Sequence, residues 1–181
     1  MKNILFGTIV AALILFIWQF LSWSLLNIHG AENTYTPNQD KIINFLEQNL
    51  EEGAYFMPTM APGASPEEKA EMMQSVIGKP WATVVYHDAY EDTMGMNMFR
   101  GFVANLLVAF LLCWILVRMK DLSLVSGLMT SLFIGFIGYT VITYIHSIWF
   151  ETHTLGYLLD TIAQFGLVGL WLGWWLSRGK V

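Results

Sequence analysis

The run ILFGTIVAALILFIWQFLSWSLL, residues 4–26, decides the fold. It holds no charged residue and, coiled as a helix, is long enough to cross the ~30 Å hydrocarbon core of a bilayer. Three further runs share the pattern: Gly101–Val117, Leu122–Ile145 and Leu155–Leu176. The first of these is near the lower limit for a span and borrows residues around Met98–Arg100. The expected helices therefore cover residues 1–27, 100–118, 122–146 and 153–177. A secretory signal peptide is the rival reading of the first run. Its apolar core would be shorter, and a small-x-small cleavage site would follow, where this chain reads Asn27-Ile28-His29-Gly30. The first run is read as an uncleaved anchor.

Composition agrees with a membrane protein. Hydrophobic residues make up 55% of the 181 and charged residues 13%, too few polar groups to cover a soluble globule of this size. Eleven of the fourteen acidic residues fall between Glu32 and Asp92, which argues against nucleic acid as a partner of that segment. The single cysteine, Cys113, lies in an apolar run, so neither an internal disulfide nor a thiolate zinc cluster is available.

The basic residues predict the threading. If four helices alternate, Lys2, Arg118, Lys120, Arg178 and Lys180 all fall on one side, opposed only by Asp121. Lys and Arg concentrate in short cytoplasmic loops, so both termini are expected inside and residues 28–99 outside the cytoplasm.

That external segment carries its own signals. Thr36-Pro37-Asn38-Gln39 offers a threonine N-cap, a proline at the first helical position and a capping-box glutamine. Ile42, Ile43, Phe45, Leu46 and Leu50 make one apolar face, and Gly53 is placed to close the helix in a left-handed conformation. Ala54–Met57 reads as a short strand stopped by Pro58. Ser65-Pro66-Glu67-Glu68 repeats the cap and opens a second helix ending near Gly78, and Trp81–His87 reads as a second strand. The helical connection suits a parallel pair. A unit of about seventy residues buries little core and is expected to lean on other protein.

With Gly53-Ala54-Tyr55-Phe56-Met57-Pro58, and Gly78-Lys79-Pro80 leading to Val84-Val85-Tyr86-His87, the layout resembles a group of uncharacterised bacterial four-helix integral membrane proteins. Those have one helix with tryptophan near its outer end, here Trp18 and Trp23, then a small external domain and three closing helices. Their third helix ends in an aromatic stretch, matched by Tyr144 and Trp149-Phe150. The resemblance implies this architecture and a place in the bacterial cytoplasmic membrane, and brings no activity with it.

Chemistry concentrates on the last run. His153, Tyr157, Asp160 and Gln164 share one helical face, while Gly166, Gly169 and Gly173 lie opposite. A carboxylate within a span is costly in lipid and is expected to point at protein or water. Gln19, Asn105, Tyr139 and Thr143 fall near the same depth, giving a predicted polar cluster of Gln19, Asn105, Tyr139, Thr143, Tyr157, Asp160 and Gln164. This set is either interhelical hydrogen bonding that fixes packing, or a binding pocket or ion path. The inner halves of the spans are almost wholly apolar, which argues against a pump or channel. Gly127, Ser131, Gly135 and Gly138 form a second small-residue strip. The two strips either pack together or leave the glycines of the last helix outward as a docking surface. Docking is preferred, because a buried carboxylate is least costly at the bundle centre.

His87, Met94, Met96, Met98, His146 and His153 are the candidates for a metal, with Cu(I) suited to soft sulfur if Met94–Met98 is extended. Against this, methionine is an adaptable apolar filler, and no ligand spacing supports a site. No cofactor is expected. Ser65 and Ser75 lack a glycine elbow and no phosphate-binding glycine loop is present. His87-Asp88 and Glu91-Asp92 remain as acid–base groups of a lipid-modifying site, with a solvated loop as the plainer account.

The expected fold is mainly α, with four transmembrane helices and a small extracytoplasmic α+β insert between helices 1 and 2. The expected role is a non-catalytic accessory or scaffolding subunit that presents its external domain to other membrane subunits or to copies of itself. The alternative is a metal- or small-ligand-handling membrane protein that uses the outer His and Met residues and Asp160.

Overall fold

The computed structural model describes residues 2–178, with the backbone alone for Lys2 and Asn3. Lys180 and the Lys2 side chain, used above for orientation, lie outside that description. The elements in chain order are α1 (Lys2–Ser24), α2 (Gln39–Asn49), β1 (Gly53–Met57), α3 (Pro66–Val76), β2 (Ala82–Tyr86), α4 (Met94–Leu116) and α5 (Leu124–Gly138). A π-helical turn (Tyr139–Tyr144), α6 (Ile145–Phe150) and α7 (Leu155–Ser177) complete the chain. Among the described residues, four helical stretches are long and apolar enough to cross a membrane: Ile4–Ser24, Met94–Leu116, Leu124–Phe150 and Leu155–Ser177. The second begins at Met94, so the Met-rich run is a helix start and not an extended segment.

The chain divides into two compact units, one holding α1 and α4–α7, the other Tyr35–Asp92. In the first, α7 packs between α1 and α5, and α4 lies on α1. Ala11, Ala12 and Leu15 of α1 meet Ala109, Leu112, Cys113 and Leu116 of α4 and Val168, Leu172 and Leu176 of α7 in one buried cluster. Small side chains at Ala11 and Ala12 let the helices approach closely, which matters where surrounding lipid removes any hydrophobic advantage of contact. Phe6 packs on Trp171 and Trp175, so the start of α1 meets the end of α7. Arg118 and Arg178 lay their guanidinium groups over Trp114 and Trp174, an arrangement suited to a membrane–water boundary.

The α5–α7 contact corrects the docking expectation. A Cβ at Gly127 would lie 2.6 Å from the Gly173 Cα, and one at Gly169 would lie 2.8 Å from the Ser131 Cβ. A Cβ at Gly135 would collide with the Phe165 ring. The strips therefore face each other, and Ser131 satisfies its hydroxyl on the Gly127 carbonyl of its own helix at 2.7 Å. Gly166 and Gly138 stand outside this close contact, with 3.8 Å to Leu132 for the first and nothing within 4 Å for the second.

In the Tyr35–Asp92 unit, β1 and β2 pair antiparallel, from Gly53 opposite Tyr86 to Met57 opposite Ala82. The parallel expectation fails because a long connection permits a crossover without requiring one. Ser65 caps α3 with the full reciprocal box to Glu68, as its sequence predicts, and Gly78 turns the chain left-handed just after it. The first helix starts later than Thr36 predicts. Asn38 is its N-cap without a side-chain bond, and the Thr36 hydroxyl instead accepts from the Asn38 N–H in a local turn. Gly53 is not a left-handed closure but the first residue of β1. Neither α2 nor α3 has a buried residue, and Ile42, Ile43 and Phe45 are exposed.

Candidate functional site

The last turns of α1 carry Trp18 and Ser22 four residues apart, on one face of the helix. Beyond the helix, Asn27 adopts a left-handed conformation at φ 47°, and the chain doubles back through a turn closed by Gly30 N–H to Asn27 O. This reversal buries His29, which is only 4% exposed. On α7, Gly156 lies one turn before Asp160 and makes room for the imidazole. A Cβ there would stand 2.8 Å from His29 Nδ1 and 3.1 Å from Glu32 Oε1.

Asp160 is the acceptor of this assembly. Its Oδ1 takes hydrogen bonds from Trp18 Nε1 at 2.9 Å and Ser22 Oγ at 2.6 Å. Its Oδ2 lies 3.0 Å from His29 Nε2, and the other ring nitrogen, Nδ1, lies 2.8 Å from Glu32 Oε1. An imidazole held between two carboxylates donates to both when it is protonated. Burial alone would push His29 down. The hydrogen bonds to Glu32 and Asp160, and the charges behind them, outweigh burial and hold it above its ordinary 6.5. The Trp23 indole stacks flat on the imidazole at 3.9 Å, a favourable seat for a cation, and Tyr157 meets it edge-on at 5.0 Å.

Of the predicted polar cluster, Gln19, Tyr139, Thr143, Tyr157, Asp160 and Gln164 line one cavity and Asn105 does not, but the hydrogen bonds fall into separate groups. Asp160 faces protein, as its cost in lipid predicts, but none of its proposed partners bonds to it. Gln19 and Asn105 pair with each other through two amide hydrogen bonds, at 3.2 and 2.9 Å, joining α1 to α4. Tyr139 donates to Thr154 at 3.1 Å. Thr143 and Gln164 have no hydrogen-bond partner among the described residues. Sequence reasoning missed Trp18, Ser22, His29 and Glu32 as the carboxylate's partners or their neighbours. The signal present was Trp18-x-x-x-Ser22 on the face of α1 that meets α7, with a histidine just past the span.

Two cavities flank the network. One, of about 520 Å³, has Gln19 on α1, Tyr139 and Thr143 on the opposite wall, and Asp160, Gln164 and Phe165 on α7. The other, of about 720 Å³, is lined by Glu32, Thr143, His146, His153 and Tyr157 among others. They share Trp23, Ile142, Thr143 and Tyr157, so they form one groove with α1 as one wall, the α5 side as the other, and α7 as floor. The π-helical turn shapes the second wall. The Ile145 N–H reaches back five residues to Thr140 O, and the widened turn carries Tyr139, Ile142 and Thr143 into the lining.

The metal candidates are dispersed. His87 belongs to the Tyr35–Asp92 unit and pairs with Glu52 at 3.2 Å, both exposed. Met94, Met96 and Met98 are exposed on the first turns of α4, where helical spacing turns Met96 away from the other two. His146 stacks on Phe150, and His146 and His153 share the larger cavity. No cluster of three His, Cys, Asp or Glu suited to a metal occurs among the described residues. Nor does the network form a nucleophile dyad. Ser22 donates to Asp160, and both His29 nitrogens are engaged by carboxylates. Comparison of the chain with known protein families, with curated proteins and with solved structures returned no match.

Proposed function

We propose that the protein is a non-catalytic, multi-pass membrane protein that holds a small amphipathic ligand in the groove between α1 and α5. One observation carries this reading. Gln164 and Thr143 present an amide and a hydroxyl to the groove without a protein partner, directly beside an acid–imidazole network whose own bonds are made. Polar groups at membrane depth are costly unless something satisfies them, and a ligand with a polar head and an apolar body does so. Ile134, Ile142 and Phe165 supply the apolar lining for such a body. The satisfied network acts as a rigid end to the groove. The test is native mass spectrometry of protein extracted from membranes in mild detergent. A bound small molecule retained by the wild type and lost in Gln164→Leu is expected, and a wild-type protein that carries none sinks the reading.

A second role is favoured by a different observation. Ile42, Ile43 and Phe45 of the Tyr35–Asp92 unit remain exposed at 46%, 54% and 62%, an apolar face suited to a partner protein. In this reading the unit lies outside the cytoplasm and the chain is an accessory subunit. Co-purification with a stoichiometric partner, lost in Phe45→Ser, checks it.

A further inference from the structure

The charges around the groove narrow the ligand class. Glu32 lines the larger cavity, with His146 and His153, and Asp160 the smaller, while no lysine or arginine among the described residues lines either. When His29 is protonated it donates to both carboxylates and two negative charges meet one positive charge, so the network keeps a net negative charge, and it is more negative when the imidazole is neutral. The Oδ1 and Oδ2 atoms of Asp160 are already bonded to protein. Glu32 bonds His29 through Oε1 and borders the larger cavity, which Asp160 does not line. There the ring of Tyr157 and the indole of Trp23, itself 48% exposed, border the same space. Carboxylate beside exposed aromatic surface is the surrounding that favours an organic cation and disfavours a phosphate or carboxylate head.

Resting on the ligand-binding reading above, we infer that the groove takes an amphiphile with a positively charged ammonium head, seated between Glu32, Trp23 and Tyr157, with its apolar part along Ile142 and Phe165. Two sources share this chemistry, the amine of a phospholipid headgroup and a free alkylamine.

The full chain is placed in nanodiscs of mixed phosphatidylethanolamine and phosphatidylglycerol, and retained lipid is measured by native mass spectrometry. In parallel, the detergent-solubilised protein is melted with hexylamine or with hexanol, its uncharged counterpart. Glu32→Gln keeps an acceptor for His29 and removes the charge. Preferential retention of the ethanolamine lipid, several-fold over the glycerol lipid and abolished in Glu32→Gln, supports the inference with a lipid as source. A saturable rise in melting temperature with hexylamine and none with hexanol supports it with a free amine as source, and needs no variant. Retention of phosphatidylglycerol at least as strong, together with equal responses to hexylamine and hexanol, overturns the cationic head. The groove reading survives that result if retention still falls in Gln164→Leu. If no lipid is retained and neither probe acts, the groove reading fails as well.

Discussion

His29 Nε2 and Asp160 Oδ2 lie 3.0 Å apart, tying the turn after α1 to the second turn of α7. The same imidazole reaches Glu32 through its other nitrogen, so one buried ring bridges two carboxylates from different parts of the chain. Trp18 and Ser22 complete the acid's shell from α1. The network is a local clamp between two helices, and its behaviour under titration and substitution follows from that.

The clamp weakens at high pH. His29 titrates above its ordinary 6.5 because its bonds to Glu32 and Asp160 outweigh burial. A folded value raised above the unfolded one gives stability that is fully present below the unfolded value and is lost as pH rises through the folded value. The melting temperature of the wild type should therefore exceed that of His29→Gln by more at pH 6 than at pH 9. A gap that is constant or widens with pH would show that the imidazole is not held as a cation.

Substitutions at Asp160 should rank by how many donors they orphan. Asp160→Leu leaves the Trp18 N–H, the Ser22 hydroxyl and the His29 N–H without their acceptor. At about 1–3 kcal/mol for each buried group left unsatisfied, the loss is on the order of 3 kcal/mol or more. Asp160→Asn keeps one oxygen for Trp18 and Ser22, and its amide suits a neutral His29, so it should cost less. Denaturation in detergent micelles measures both, and equal losses would argue against the hydrogen bonds as the source.

The four apolar runs were legible because length and hydropathy are local properties. The Ser65 cap was legible for the same reason, since Ser65 and Glu68 complete it between themselves. That Asp160 faces protein also follows from its cost in lipid. Its partners were hidden, because His29 reaches it only through the reversal at Asn27, a backbone conformation that no periodicity announces. In the sequence Trp18 is only a tryptophan near the outer end of the first helix, although its indole N–H is what the carboxylate uses. Strand direction in the Tyr35–Asp92 unit and the partner of each glycine strip depend on how distant segments meet. The pattern restricts those outcomes without choosing among them.

Orientation across the membrane is predicted from Arg118, Lys120 and Arg178 clustering toward one end of the spans. The native Cys113 is buried, so single added cysteines report cleanly. In intact cells an impermeant thiol reagent should label a cysteine at Glu51 or Glu68 and spare one at Lys120. Labelling at Lys120 alone would invert the threading and would place the Tyr35–Asp92 unit on the cytoplasmic side.

The glycines of α7 should separate sharply by position. At Gly169 an added Cβ meets the Ser131 Cβ at 2.8 Å and the Leu128 Cα at 3.0 Å, and the second of these is backbone. Nothing there yields without moving α5 away from α7, so Gly169→Ala should lower the melting temperature and Gly169→Leu should prevent the pair from packing. At Gly166 the nearest atom is a Leu132 methyl carbon at 3.8 Å, an ordinary contact. Alanine is also the better helix former by about 1 kcal/mol, so Gly166→Ala should be neutral or slightly stabilising. Gly169→Ala and Gly166→Ala keep the span length and change its hydropathy equally, so insertion is not expected to differ between them. Melting in detergent and the recovery of monodisperse protein compare them directly. If Gly169→Leu stayed folded and lost only an associated chain, the glycine strip would face a partner and not α5.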